Sequence, residues 1–165
     1  MEVITLLFVL SSIIIILTPG QDMMMVMSQS ISHGKKAGII TALGVSFGLL
    51  GHTLLATIGL GSLLMTSTWL FDVIKFIGAA YLIYIGYQLL VSKEPKLAIK
   101  TLPKASYKKM FIQGALTNIM NPKIAIFYFS YLPQFVTLNE GNQSLQLFIL
   151  GITYAILAFF IKAPI

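Results

Sequence analysis

The chain contains no cysteine and no arginine, and only 10% of its 165 side chains are charged. The lack of cysteine excludes thiol catalysis and a scaffold held by disulfides. An average soluble domain carries about 25% charged residues, whereas 57% of the side chains here are hydrophobic. A compact soluble core of this size could not hide that much apolar surface. The composition therefore predicts an integral membrane protein.

Catalytic and nucleotide-binding motifs are also missing. The sequence has no glycine-rich phosphate loop, no His/Cys set with metal-ligand spacing and no favourably spaced Ser-His-acid set. We therefore expect no enzymatic activity, no cofactor, no metal and no ATP-driven transport by this chain alone. The net charge of +6 does not indicate nucleic-acid binding, because the lysines cluster in short loops without arginine or a basic aromatic face.

Five apolar stretches approach or exceed the about 20 residues that a helix needs to cross a hydrocarbon core. They cover residues 3–31, 38–65, 69–91, 110–136 and 145–161. The first is interrupted at 18–22 and the fourth at 121–123, each time at a proline. The sequence therefore predicts one all-α transmembrane domain, residues 1–165, with five visible transmembrane helices. Gly44 and Gly48, four residues apart in the second stretch, predict close helix packing.

Lysines mark the loops on one side of the membrane. Eight of the eleven lie either between the first two spans or between the third and the fourth, and the other two loops contain none. The positive-inside rule places lysine-rich loops in the cytoplasm, which puts the N-terminus outside and Lys162 on the cytoplasmic side. The first stretch lacks the features of a cleaved signal peptide, so we expect it to stay as a permanent span.

A linker with two prolines, residues 92–109, separates two repeats. Residues 1–91 form a complete three-span unit in this interpretation, and residues 110–165 form an incomplete one. Each unit opens with a helix broken by a proline, Pro19 in the first and Pro122 in the second. Since three is odd, the second unit enters the membrane from the opposite side, which is typical of the inverted repeats of secondary transporters. The repeat also predicts a sixth span, which is missing from this sequence.

Asp22 is the strongest candidate for a functional side chain. It lies inside the first span, just after Pro19 and Gly20, where a carboxylate costs at least about 2.5–3.5 kcal/mol. Proline removes a backbone donor, and broken backbone at membrane depth is tolerated only inside protein or along a cavity. We expect these three residues to contact substrate or ion, with Asp22 coupling transport to protons and approaching Lys123. The alternative is that Asp22 lies at a helix end near the inner surface.

The matching interruption in the fourth span contains Asn118, Asn121, Pro122 and Lys123. Peptide groups and helix ends at such a break can hold the ammonium and carboxylate groups of a zwitterionic solute. We therefore predict substrate or ion contacts at these four positions, and the alternative is that Asn121 and Pro122 merely permit a kink. His52, central in the second span, is either a proton relay or a histidine that forms a hydrogen bond between helices.

Five motifs, in order, resemble those of the lysine exporter (LysE/RhtB) family of amino-acid efflux transporters, which includes threonine and homoserine exporters. They are Leu17-Thr18-Pro19-Gly20, Ser32-His33-Gly34-Lys35-Lys36-Ala37-Gly38, Lys75-Phe76-Ile77-Gly78-Ala79-Ala80-Tyr81-Leu82-Ile83-Tyr84-Ile85-Gly86, Asn118-Ile119-Met120-Asn121-Pro122-Lys123 and Leu132-Pro133-Gln134-Phe135. Together they extend over essentially the whole chain. The sequence differs from the family pattern at Gln21, where members often have a second proline. It also has no acidic residue between Leu145 and Ile161.

The resemblance implies a six-helix exporter in the inner membrane of a bacterium. Its substrates would be amino acids or derivatives such as threonine, homoserine or lysine-like solutes, exchanged for protons within the lipid bilayer. Members of the family continue beyond the point where this sequence ends. The alternative is therefore an inactive truncated fragment that packs with a partner. A membrane-embedded enzyme is least favoured, and monomer and homodimer both stay open.

Overall fold

A computed structural model describes residues 2–18, 20–91, 105–138 and 141–165 of the chain. These residues form seven α-helices and one short 3-10 helix, with no strand among them. The helices are α1 (Glu2–Leu17), α2 (Gln21–His33), α3 (Lys35–Thr66), α4 (Thr68–Val91), α5 (Tyr107–Ile119), α6 (Pro122–Tyr131), the 3-10 helix (Leu132–Phe135) and α7 (Gln143–Lys162). The predicted all-α class is confirmed for the part of the chain that the structure describes.

Three helices, α3, α4 and α7, are long and apolar enough to cross a membrane. A fourth span results if α1 and α2, which meet at an angle of 57°, count as one broken helix. The predicted fourth stretch, residues 110–136, is divided among α5, α6 and the 3-10 helix and is not among these candidates. The five-span count and the repeat therefore stay predictions. Pro19 and residues 92–104 of the linker lie outside the described residues.

Local sequence determines where the helices begin and end at the breaks. α2 is followed by Gly34, whose φ of 86° is a left-handed conformation that favours glycine. α6 begins with Pro122 in its first turn, where a missing backbone N–H has no consequence. The Asn121 side chain caps the same helix, since its Oδ1 accepts a hydrogen bond of 3.0 Å from the backbone N–H of Lys123.

α3 is the central helix of the bundle, and α2, α5 and α7 all pack against it. α3 and α5 run parallel, because Gly44 lies against Phe111, and Gly48, one turn further along α3, lies against Ala115, one turn further along α5. Neither glycine has room for a side chain without displacing backbone of α5. The predicted packing role of Gly44 and Gly48 is therefore confirmed, and it brings the backbones of α3 and α5 into contact.

α7 runs antiparallel to α3. Gly151 lies against Thr53, while Ser144, earlier on α7, lies against Gly61, further along α3. If this antiparallel pairing continues to the end of α7, Lys162 lies beside the first half of α3. Apolar side chains near the end of α7 pack there against a small buried cluster. Lys162 therefore lies well inside the bundle and not at the beginning of α3.

An aromatic cluster fills the bundle between α1, α6 and α7. Its members are Phe8, Phe127, Tyr131, Phe135 and Tyr154. Tyr131 stacks on Phe127 with 4.9 Å between ring centroids, and its hydroxyl lies 2.8 Å from that of Ser11 and 2.9 Å from that of Ser12. The buried hydroxyl groups are thus satisfied by one another, as polar groups in a low-dielectric interior must be.

α4 presents most of its apolar side chains to the outside of the bundle. Phe76 is 77% exposed, Ile83 is 74% exposed and Leu90 is 87% exposed. Soluble monomers rarely carry a contiguous apolar surface of this kind. The hydrocarbon core of a bilayer, by contrast, solvates such side chains well.

Gly114 of α5 provides a test of the packing between α3 and α5. A Cβ atom at this position would lie 2.7 Å from the carbonyl oxygen of Thr41 and 3.1 Å from the backbone nitrogen of Val45. We expect Gly114→Ala to lower the free energy of unfolding in detergent by about 1–3 kcal/mol, the usual effect of overpacking. Gly86→Ala is the matched control, because nothing lies within 4 Å of its Cβ position. Equal stability of the two variants would contradict the close contact.

Candidate functional site

Asp22 lies in the first turn of α2 and is only 6% exposed. Gly20 precedes the helix in an extended conformation, and its carbonyl oxygen accepts a hydrogen bond of 3.0 Å from the backbone N–H of Met24. The carboxylate is therefore held at a helix N-terminus, where the partial positive charge of the helix dipole favours an anion. Asp22 thus sits at a helix end, as the alternative interpretation expected, but it is buried among other helices.

Asn118, in the last turn of α5, is the nearest partner of Asp22. Its side-chain Nδ2 donates a hydrogen bond of 2.7 Å to Asp22 Oδ2, and the residue is fully buried. Its backbone carbonyl oxygen accepts a hydrogen bond of 3.0 Å from His52 Nε2 on α3. The residue therefore links three helices, α2, α3 and α5, at one point in the bundle.

Lys162 is the second partner of the carboxylate. Its Nζ lies 3.5 Å from Asp22 Oδ2, and the lysine is only 7% exposed. It occupies the last turn of α7, where the helix dipole favours a cation. Asp22, Asn118, His52 and Lys162, which we call the polar centre, thus join four helices through a carboxylate, an amide, an imidazole and an ammonium group.

The two helix breaks that the sequence predicted lie against each other. In addition to the contact between Asp22 and Asn118, Asn121 donates from Nδ2 a hydrogen bond of 3.2 Å to Gln21 Oε1. An open depression of about 360 Å³ lies beside this second contact. It is lined by Gln21, Leu116, Thr117, Met120, Asn121 and Pro122. The depression gives the outside of the bundle a polar opening next to both breaks.

The predicted approach of Asp22 to Lys123 is wrong. The Lys123 side chain is exposed, and the ion pair that Asp22 forms within the described residues is with Lys162. The physical reason is that Lys123 follows Pro122 in the first turn of a separate helix, α6, where its side chain is exposed, whereas Asn118 is buried on α5. Gly20 and Asn121 do lie at the junction of the breaks, whereas Pro19 is not described.

His52 is fully buried and joins α3 to α5. A carbonyl oxygen can only accept, so the Nε2 atom that lies 3.0 Å from the Asn118 oxygen carries the proton. The other ring nitrogen, Nδ1, has no hydrogen-bond partner among the described residues. Of the two roles that the sequence suggested for His52, the structure shows the hydrogen bond between helices. The proton-relay role stays a prediction.

Two buried oxygen atoms of the polar centre accept no hydrogen bond from any described residue. They are Oδ1 of Asp22 and Oδ1 of Asn118. A buried polar atom without a partner costs about 1–3 kcal/mol, and native proteins leave few of them. Both oxygens are acceptors, so the site can receive a solute group that carries several hydrogen-bond donors, such as an ammonium group.

Sequence reasoning missed Lys162 as a member of this site. Its position one residue past the last apolar stretch indicated a charge at the cytoplasmic surface. The signal that could have placed it deeper is the register of small residues, since Gly151 and Thr53 fix how far α7 extends along α3. A single sequence does not reveal which of its small residues face each other.

These features define a multi-pass, all-helical membrane protein with a buried polar centre at two helix breaks. The profile of the LysE type translocator family matches residues 13–163, so the chain belongs to this family. The family resemblance seen in the sequence motifs is confirmed.

Curated relatives agree with this assignment. The chain is 40% identical over 152 residues to the uncharacterized membrane protein YrhP of Bacillus subtilis, a match that covers 87% of this chain and 72% of the relative. It is 31% identical over 158 residues to the leucine efflux protein of Klebsiella pneumoniae, covering 93% and 73% respectively. It is 32% identical over 148 residues to an uncharacterized membrane protein of Vibrio cholerae, covering 90% and 72%. No solved structure matches the chain.

A double-mutant cycle tests the ion pair at the polar centre. Asp22→Asn leaves the buried Lys162 ammonium without a counter-ion, and Lys162→Met leaves the carboxylate without one. Each single change should lower the free energy of unfolding by about 3–5 kcal/mol, and the double variant should lose clearly less than the sum.

The matched control is the same pair of changes at Asp72 and Lys75, which lie three residues apart on α4. A pair at this spacing on a helix surface contributes only about 0.2–0.5 kcal/mol. Strictly additive effects at Asp22 and Lys162 would contradict the ion pair.

Proposed function

We propose that the chain is a secondary transporter that exports amino acids or their derivatives across the cytoplasmic membrane. The observation that carries this proposal is the buried carboxylate of Asp22 between Asn118 and Lys162, at the junction of two helix breaks. Ionisable side chains inside membrane domains are energetically costly, and they typically mark substrate or ion pathways. The efflux activity named for the Klebsiella relative supports the same direction of transport.

The chemistry of the polar centre suits an amino acid. The unpaired oxygens of Asp22 and Asn118 can accept N–H groups, while Lys162 can donate to an anionic oxygen. Threonine, homoserine and lysine-like solutes stay the candidate substrates. We assign the contacts to the polar centre and to the neighbouring Gly20 and Asn121, while contacts at Pro19, Pro122 and Lys123 stay predictions from the sequence. A transporter family also fits the expectation that the chain is not an enzyme.

Proton antiport is the proposed source of energy. Protonation of Asp22 would remove its charge and leave Lys162 without a counter-ion at 3.5 Å, so the ion pair would open. A proton and the ammonium group of a substrate would thereby compete for the same Asp22 carboxylate, which is the requirement for exchange. His52 stays the candidate relay, and it is held near Asp22 because both residues bond to Asn118, His52 to its backbone carbonyl and Asp22 to its side-chain amide.

The inverted repeat is the architecture that best accounts for the helix contacts. The first unit, residues 1–91, would comprise α1 to α4, and the second, residues 110–165, would comprise most of α5 together with α6 and α7 as its two visible spans. In this scheme α3 and α7 correspond, and they run antiparallel as an inverted repeat requires. α1 and α5 correspond as well, so the packing of α3 on α5 is equivalent to the packing of α7 on α1. We propose five spans in one domain, with the cytoplasmic linker over residues 92–109.

The orientation proposed from the lysines has support in one contact. The Nζ atom of Lys36, at the beginning of α3, lies 5.0 Å from the centre of the Tyr107 ring, at the beginning of α5. The first residues of α3 and α5 therefore lie on the same side of the bundle. We propose that this side is the cytoplasm, that the N-terminus is outside and that the membrane is the bacterial inner membrane.

Efflux measurements test the proposed function. Cells that express the chain, preloaded with labelled leucine, threonine or lysine, should release at least one of these faster than cells without it. Asp22→Asn should reduce that release by about tenfold or more, since the loss of one charged contact is worth at least 1.4 kcal/mol. In vesicles, the same change should abolish the response to an imposed pH gradient.

The matched control is Asp72→Asn, which removes the other aspartate of the chain from a half-buried position on α4. Its release rates should equal those of the wild type, with membrane insertion verified for each protein. An inserted wild-type chain that releases none of the three amino acids would contradict the proposal.

A homodimer is proposed to cover the break region. Gln21 and Lys123 are exposed beside the depression, and polar side chains are not stable against lipid hydrocarbon. Because the chain has no cysteine, Thr117→Cys in the depression reports on this face directly. We expect a disulfide between two copies in oxidised membranes, and none for Ile83→Cys on the apolar face of α4. A monomeric Thr117→Cys protein under these conditions would contradict the dimer.

A further inference from the structure

The polar centre has a balanced charge. Asp22 contributes one negative charge and Lys162 one positive charge, and within the described residues these two form the ion pair of the site. Both are more than nine-tenths buried, since they are 6% and 7% exposed. His52, whose Nδ1 has no acceptor among the described residues, adds no charge in its neutral form. A solute that enters this site must therefore preserve neutrality or leave a charge uncompensated inside the membrane domain.

The ion pair has unused hydrogen-bonding capacity on both sides. The separation of 3.5 Å between Lys162 Nζ and Asp22 Oδ2 is longer than the about 2.7–2.9 Å of a direct charge-assisted hydrogen bond. Lys162 has three N–H donors, and Asp22 is the one acceptor it meets within the described ranges. On the other side, Oδ1 of Asp22 and Oδ1 of Asn118 accept nothing from the described residues.

We propose that Lys162 binds the carboxylate of the substrate and that the Asp22–Lys162 pair selects α-amino acids without net charge. The α-ammonium group of such a substrate donates to the free oxygens of Asp22 and Asn118. Its α-carboxylate accepts from Lys162, whose bond to Asp22 it replaces. This assignment rests on the proposed function. To that function it adds a substrate class, neutral α-amino acids, and the residue that determines this class, Lys162.

The charge balance explains why neutral amino acids are preferred. A zwitterion brings one positive and one negative group, so each charge in the occupied site has an opposite partner. A cationic amino acid brings an additional positive charge. Asp22 cannot neutralise this charge once its carboxylate holds the α-ammonium group, and the Asn118 amide is uncharged. Lys123 does not take the role of Lys162, because it is exposed outside the polar centre.

Charge selectivity in vesicles tests this assignment. Vesicles that contain the full chain are loaded with labelled leucine, threonine or lysine, and export of each is measured for the wild type and for Lys162→Met. Loss of the ammonium removes the partner of the carboxylate and leaves the site with a net negative charge. Export of leucine and threonine should fall by about tenfold or more, and export of lysine should fall much less.

Two variants separate charge selectivity from general damage. Lys162→Arg keeps the positive charge and should keep the wild-type ratio of neutral to cationic export. Lys75→Met removes a lysine from α4, away from the polar centre, and should leave that ratio unchanged. An inserted Lys162→Met protein with the wild-type ratio would overturn the assignment.

A competition measurement on the wild type keeps the test decisive if Lys162→Met fails to insert. Unlabelled leucine should slow the export of labelled leucine, whereas leucine methyl ester, which lacks the carboxylate charge, should not. Equal competition by the ester would show that no cation binds the carboxylate and would overturn the role of Lys162. If the wild type exports leucine and the ester competes as well as leucine does, this inference alone is refuted. If the wild type exports no amino acid, the proposed function and this inference are both refuted.

Discussion

A carboxylate inside a membrane domain must be satisfied by the protein, and the bundle is arranged around that requirement at Asp22. The side chain receives a hydrogen bond of 2.7 Å from Asn118 and lies 3.5 Å from the ammonium of Lys162. It also begins a helix, whose dipole favours the negative charge. The two side-chain partners come from α5 and α7, and Asp22 itself belongs to α2. The position of α5 and α7 relative to α2 is therefore linked directly to the charge of one residue.

Small residues make this convergence possible. Gly44 and Gly48 allow α5 to approach α3 at backbone distance, which brings Asn118 beside Gly48 and within reach of Asp22. Gly151 does the same for α7, and its contact with Thr53 places Lys162 at the depth of the polar centre. In a membrane, where lipid removes most of the hydrophobic drive for helix association, such close packing is a principal source of stability. The same packing that holds the helices together also positions the charged groups.

The sequence predicted the parts of this arrangement that depend on local chemistry. The helical class, the two breaks and the importance of Asp22 and Asn118 follow from apolar length, from proline and from the cost of a buried charge. The partner of Asp22 could not be predicted, because it depends on which faces of distant helices meet. Lys123 is close to Asn118 in sequence but is turned outward by the first turn of α6, whereas Lys162 reaches Asp22 only through the register between α3 and α7.

In the proposed mechanism, the Asp22 carboxylate contacts the ammonium group of a bound amino acid. Asp22 and Asp72 are the only aspartates of the sequence, so labelling aspartate with ¹³C at Cγ gives two signals, and Asp72→Asn leaves one. Solid-state NMR of the chain in bilayers with ¹⁵N-leucine can then measure the dipolar coupling between the two labels. We predict a coupling to the Asp22 signal that corresponds to direct contact. Bound leucine without any coupling to Asp22 would contradict the account.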